Sequence, residues 1–243
     1  VDSQTRHALK QDKFVNATQS GLSWIEIHRD QVIRASIGVV VLVAVIVGGG
    51  IYYQHQTAAA SVALGQALEV YNSSLRQPGE PEDGSYKTTA ERAQAANKLF
   101  AGVATKFGSF EAGKTAQYFV GLTDIDLGKT SDAETSLKQV SGTYDKELSG
   151  LAKVALANLY VQTGKTPQAI ELYKELIAKP TDTVPASAAQ LQLAEIYEKT
   201  DPLQAKQIYA VLKDKDKTTA AGQIAAQKLN PGAKQGPQGA QLQ

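Results

Sequence analysis

Residues Gly108 to Thr115 read GSFEAGKT and satisfy the pattern G-x-x-x-x-G-K-[ST] letter for letter. In a nucleotide site of this kind the glycines expose backbone N–H groups to phosphates. The lysine reaches the outer phosphates and the threonine hydroxyl holds magnesium. Such a loop needs a buried strand before it and a parallel sheet around it. Here Ala96 to Val103 precedes it with helical period, and Ala116 to Leu127 follows as the front helix of a repeat. No hydrophobic run elsewhere supplies the remaining strands. Gly-Lys-Thr also recurs at Gly128 and Gly164, both between helical segments. The segment therefore reads as a turn at a repeat boundary. A P-loop nucleotide-binding protein is kept as a remote alternative.

Other residue types that carry chemistry are sparse. His7, His28 and His55 all lie outside the repeats, and none has a metal-ligand partner three or four positions on. Asp124 and Asp126 are two apart, so they do not share a helix face, and they suggest a solvated turn more than a catalytic pair. There is no G-x-S-x-G elbow, and the chain has no Cys for disulfide, thiolate or lipid attachment. A formal net charge of +1 over 243 residues provides no field for nucleic acid. The expectation is no enzyme activity, no cofactor, no metal and no small-molecule substrate.

The elements around these residues are more informative. Ala35 to Tyr53 carries no charged side chain and is long enough, as a helix, to match a bilayer's hydrocarbon layer. Arg6, Lys10, Lys13, Arg29 and Arg34 precede it, and no Lys or Arg follows until Arg76. Basic residues near a spanning helix tend to stay cytoplasmic, so the N-terminal segment is placed inside and the rest outside, in a bacterium the periplasm. Trp24, Tyr52 and Tyr53 have the character of interfacial aromatics. A cleaved signal peptide is the rival reading, with Ala58-Ala59-Ala60 as a candidate cleavage site. The apolar core is longer than a signal sequence needs, which favours a retained anchor. Ala44 and Gly48-Gly49-Gly50 allow close lateral contact in the membrane, or mark a flexible exit.

After the anchor the sequence repeats. Ala96, Ala133, Ala169 and Ala205 are spaced by 37, 36 and 36 residues. Four positions later stand Phe100, Leu137, Tyr173 and Tyr209, and three further on Val103, Val140, Leu176 and Leu212. A small residue followed at +4 and +7 by large apolar ones marks one helix face. A second set, Gly121, Ala157 and Ala194, is preceded by Val120, Leu156 and Leu193 and followed by Asp124, Tyr160 and Tyr197. Turn residues separate the two helices of each unit: Gly128-Lys129-Thr130, Gly164-Lys165-Thr166 and Thr200-Asp201-Pro202. Ala58 to Arg76 reads as the first helix of a further unit whose partner begins near Thr88. The intervening Gln77 to Lys87 reads as an acidic surface loop, and Thr218 to Leu229 as a closing helix.

The expected architecture is all-α: one transmembrane helix, then an α-solenoid of about four helix pairs. The expected domains are a polar cytoplasmic segment 1–34, a transmembrane helix 35–53, a periplasmic repeat domain 54–229 and a disordered tail 230–243. Stacked pairs create a concave face lined by the first helix of each pair. By register that face includes Tyr118, Leu122, Val154, Asn158, Leu191 and Glu195, a mixture that suits a polypeptide partner. The alternative is that the repeats close on themselves and some of these residues are core.

The unit from about Gly150 to Thr181 resembles the tetratricopeptide repeat. It carries that repeat's Leu-small pair at Leu156-Ala157, then Tyr160, Ala169, the aromatic Tyr173 and Pro180. It departs from the pattern at Lys153, where the repeat has Trp, and at Leu176, where it has Ala. The whole layout resembles the ancillary SecYEG translocon subunit family, the YfgM-like proteins. The matching features are the aromatic and basic lead-in Trp24 to Arg34, the glycine-rich span ending at Tyr53 and the repeats to Leu229. The long polar N-terminus and the acidic loop depart from it. The resemblance implies an inner-membrane scaffold that binds the SecYEG translocon, a PpiD-type membrane-anchored isomerase and secretory polypeptides passing to periplasmic chaperones. A scaffold for envelope or cell-wall assembly has the same architecture.

Overall fold

The computed structural model describes residues 28–76 and 86–231. Arg6, His7, Lys10, Lys13 and Trp24, most of the acidic loop and most of the tail 230–243 lie outside the described residues. The chain divides into two compact units between Gln56 and Thr57. Helix α1, Arg29–Asn72, contributes residues to both.

In the first unit α1 is apolar on every side. It is the one helix among the described residues that is long and apolar enough to cross a membrane, with a mean hydropathy of 2.4 over its most apolar window. None of that window is buried inside the protein, and Val40 is 67% exposed. A helix apolar all round fits a nonpolar surrounding better than water.

The second unit contains the end of α1 and eight further helices among the described residues. These are α2 (Thr89–Phe107), α3 (Glu111–Asp126), α4 (Thr130–Ser141), α5 (Lys146–Gln162), α6 (Thr166–Ala178), α7 (Ala186–Thr200), α8 (Pro202–Lys215) and α9 (Ala220–Leu229). From α2 onward each packs on its neighbour in sequence, and α3 also meets α5 as α7 meets α9. First helices touching first helices make a solenoid of stacked pairs. The repeated residues are its interior. Ala96, Ala133 and Ala169 are fully buried, and Phe100, Leu137, Tyr173 and Tyr209 are all buried above them. Opposite, a Cβ on Gly121 would come within 2.7 Å of Leu137 Cγ, which explains the small residue there.

Local chemistry sets the helix ends. Thr88, Asp145, Asp201 and Thr219 each accept a hydrogen bond from a backbone N–H three residues on, capping α2, α5, α8 and α9. Glu91 also accepts from the Lys87 N–H at 2.9 Å, holding the entry to α2 from both sides. Gly128 and Gly164 stop α3 and α5 at φ of 72° and 75°, a conformation that penalises a side chain. The N–H groups of Lys129 and Lys165 then donate back to Asp124 O and Tyr160 O, each at 2.8 Å. Across the loop 77–85, the Arg76 N–H donates to Tyr86 O at 2.9 Å and ties its two ends together.

The buried residues form two clusters, one from Ala60 to Ala116 and one from Ala133 to Ala225. A polar group lies between them in the chain. Asn97 Nδ2 donates to Thr123 Oγ1 at 2.8 Å and to Asp124 Oδ1 at 2.9 Å. Thr123 is fully buried and Asp124 is 5% exposed. This corrects the reading of Asp124 as part of a solvated turn. It occupies the repeat position of Tyr160 and Tyr197, which face the core, and burial raises its pKa. Asp126, two residues on, is exposed as expected.

Two contacts make testable demands. A Cβ added to Gly113 would collide with the Phe107 carbonyl at the α2–α3 boundary. Gly113→Ala is therefore expected to cost about 1–3 kcal/mol in urea unfolding, because backbone cannot move aside cheaply. The second contact is Glu147, which accepts from the Thr183 N–H (2.9 Å), the Thr183 hydroxyl (2.7 Å) and the Asp182 N–H (3.3 Å). These bonds clip the α6–α7 loop to α5 and hold the Glu147 carboxyl at about 2. A depressed pKa means the clip is fully formed above the usual carboxylate range and is lost as pH falls toward 2. Glu147→Gln is expected to lose less stability than the wild type between about pH 5 and pH 2, read from urea midpoints.

Candidate functional site

The first helices of successive pairs leave a cleft of about 580 Å³ toward the C-terminal end of the solenoid. Helix α5 supplies Asn158 and Gln162, one turn apart on the same face. Helix α7 supplies Gln192, Glu195 and Lys199 at spacings of three and four, and α9 closes the end with Lys228. The lining is thus amides and charges over a floor that includes Ile196 and Tyr173.

Two buried tyrosines fix this lining from below. The Tyr173 hydroxyl donates to Asn158 Oδ1 at 2.7 Å. Burial first, and the facing Glu195 carboxylate second, push the Tyr173 phenol up to about 12, so it stays a donor. The Tyr209 hydroxyl donates to Glu198 Oε1 at 3.0 Å. Glu198 also pairs with Lys228 at 3.0 Å, linking α7 to α9, and the lysine keeps its carboxyl below the usual range. A comparable network holds Glu134 outside the cleft. It accepts from Lys138 and Lys165, each at 2.6 Å, and from Tyr160 at 3.1 Å, which pull its carboxyl down to about 2.

Of the six residues placed on the concave face by register, Asn158 and Glu195 line the cleft. Leu191 is buried in the core, one position from the cleft residue Gln192. Tyr118, Leu122 and Val154 are half-buried and pack against the core cluster, away from this cleft. The register reading missed Gln162 and Lys199, which occupy equivalent positions one turn after Asn158 and Glu195. That i+4 relation was the available signal. Nothing in the period pointed to Lys228, since the closing helix has no partner helix in the repeat.

The phosphate-loop match resolves into helix geometry. Gly108 caps α2, Phe110 precedes α3, and Gly113, Lys114 and Thr115 are the first turns of α3. The N–H groups of Gly113 and Lys114 both donate to Phe110 O at 3.1 Å, so they are not presented to a phosphate. The β pairing among the described residues is one isolated bridge, Leu75 to Tyr86, and it does not lead into this segment. The turn at a repeat boundary is what the segment forms. Among the described residues, no three His, Cys, Asp or Glu side chains gather where they could hold a metal.

Comparison with known proteins agrees with this geometry. The crystal structure of nearly identical TPR-like repeats from a candidate kinesin light chain of Podospora anserina superimposes with a TM-score of 0.53. It is 17% identical, covers 72% of this chain and is itself 84% covered, a likeness of fold alone. No curated protein matches the chain. The family model for the tetratricopeptide repeat-like domain matches residues 31–175, which is more than half of the sequence and runs from α1 into α6. The chain belongs to the tetratricopeptide repeat-like domain family.

Proposed function

We propose that this protein is a membrane-anchored scaffold that binds protein partners at the outer face of a bacterial inner membrane, at the Sec translocon. The observation that carries the reading is one chain holding two things: an uncovered apolar helix of membrane-spanning length and a helical-repeat stack with an open polar cleft. Repeat stacks of this class are interaction surfaces, and their partners are set by scattered side chains. The excess of Lys and Arg before α1's apolar run supports an N-terminus in the cytoplasm and repeats in the periplasm. The translocon assignment rests on the resemblance of layout to the YfgM-like subunits, with SecYEG, a PpiD-type isomerase and secretory polypeptides as partners. The repeat domain is read as residues 54–229, and of the concave-face set Tyr118, Leu122, Val154, Asn158 and Glu195 as partner-facing, while the buried Leu191 supports them from the core. Assembly of the envelope or cell wall is the competing role.

Topology is directly testable because the chain has no native cysteine. Ser61→Cys is expected to react with a membrane-impermeant maleimide in spheroplasts, and Ser20→Cys only after lysis. The reverse pattern would sink the orientation. Affinity purification of the full chain from gently solubilised membranes is expected to recover translocon subunits. Recovery of cell-wall enzymes or outer-membrane assembly factors in their place would favour the competing role.

A further inference from the structure

The pair α5 and α6 carries a second recess, on a different face of α5 from Asn158 and Gln162. Lys146, Ser149, Lys153, Leu156 and Tyr160 follow one another at spacings of three and four, which makes one stripe along α5. Two cavities lie along it, of about 350 and 510 Å³. Lys153 and Glu175 line both, so the two are one trough crossed by the Lys153–Glu175 ion pair at 2.9 Å. The tetratricopeptide pattern has tryptophan where Lys153 stands. The thinner lysine stem leaves open space that an indole would fill.

The two ends of the trough differ. Leu156, Tyr160, Pro167 and Leu172 make one end apolar, and the charged groups there, Lys138 and Glu171, are closed in pairs with Glu134 and Lys174. Lys146 and Lys179 line the other end, and neither forms an ion pair among the described residues. The flanking carboxylates are engaged elsewhere: Asp145 caps α5, Glu147 accepts from the α6–α7 loop, and Glu175 holds Lys153. Asp182 is exposed and lies outside the lining. In a chain of net charge +1, two unanswered lysines in one recess are a local excess that complements an acidic partner. The stripe rises about 21 Å from Lys146 to Tyr160, which gives the trough a mean cross-section of about 40 Å². That is about half the section of a helix about 10 Å across, so the fit is to an extended segment.

We infer that the trough between α5 and α6 docks an extended protein segment in which two acidic residues are followed, about four residues on, by large apolar ones. The acidic side chains pair with Lys146 and Lys179. The apolar ones lie against Leu156, Tyr160 and Leu172, about 15 Å away along α5, a distance that four to five extended residues span. The Lys153–Glu175 pair stays closed beneath the segment. The inference rests on the protein-binding role proposed above, and it adds a contact face separate from the cleft between α5, α7 and α9.

The test uses the full chain in detergent micelles and the fluorescent peptide Glu-Glu-Gly-Ser-Gly-Leu-Phe. Replacing its two glutamates by glutamine is expected to weaken binding about fivefold at 50 mM salt and less than about twofold at 1 M, because exposed ion pairs are screened. Replacing Leu-Phe by Ala-Ala is expected to weaken it about tenfold at either salt. Lys146→Ala and Lys179→Ala should each weaken the glutamate peptide about twofold, with circular dichroism unchanged. The double variant should bind the glutamate and glutamine peptides equally. Lys213→Ala, an exposed lysine of α8, should change nothing. No peptide binding, equal binding of the glutamate and glutamine peptides to the wild type, or indifference to both lysine variants would each overturn the inference. So would a loss on Asn158→Ala in place of the lysine variants, which would put the peptide in the cleft. Peptide binding that fails while translocon subunits still co-purify removes the trough alone. Peptide binding that holds while they do not supports the trough and removes only the translocon assignment.

Discussion

The second helix of each pair closes over an alanine that has no free space beside it. Ala96, Ala133 and Ala169 are fully buried, and Ala205 nearly so. A small residue at a helix crossing sets how near two helix axes can come. The gap that remains is then filled from one turn along by Phe100, Leu137, Tyr173 or Tyr209. The large residues cannot be placed without the small ones. Because each pair meets chiefly the next, this local rule, repeated, is enough to generate the stack. The cleft inherits it. Tyr173 and Tyr209 fill core positions with their rings and use their hydroxyls to hold Asn158 and Glu198. One side chain thus joins the packing to the polar lining.

The same logic decides what could be read from sequence. Positions whose residue type and burial agree were legible at once, because small-then-large at +4 and +7 has no other common cause in a helix. Asp124 was not legible. Its type suggests solvent while its register matches buried Tyr160, and the hydrogen bond from Asn97 that lets it stay inside comes from another helix. Gly113 shows the converse, a motif that the helical period around it had already discounted. Its motif suggests phosphate chemistry, whereas the glycine is required because the Phe107 carbonyl passes where a Cβ would stand. The cleft was legible in part. Register found Asn158 and Glu195, but the contact between Tyr173 and Asn158 joins two helices, and one-dimensional periodicity does not record such pairs.

The apolar stretch of α1 poses a different physical problem. Along α1, large apolar side chains such as Val40, Ile46 and Tyr52 are all more than half exposed. A run of that kind is far larger than the apolar patches that soluble proteins leave in water. Its backbone is fully hydrogen-bonded within the helix, which is the condition for residing in hydrocarbon. A helix of that length and composition could cross a membrane with its backbone already satisfied.

The buried group of Asn97, Thr123 and Asp124 has a consequence for how the stack assembles. Apolar contact couples neighbouring repeats, and in a linear array cooperativity is only as strong as its weakest interface. Between the clusters α3 carries Phe119 and Val120 against one and Tyr118, Leu122 and Ile125 against the other, with Thr123 and Asp124 buried among them and bonded by Asn97. Helix α3 therefore belongs to both clusters, and its interface with α2 joins apolar contact to a buried amide, hydroxyl and carboxyl. A fully bonded polar group in such an interface specifies which helices meet more narrowly than apolar contact alone.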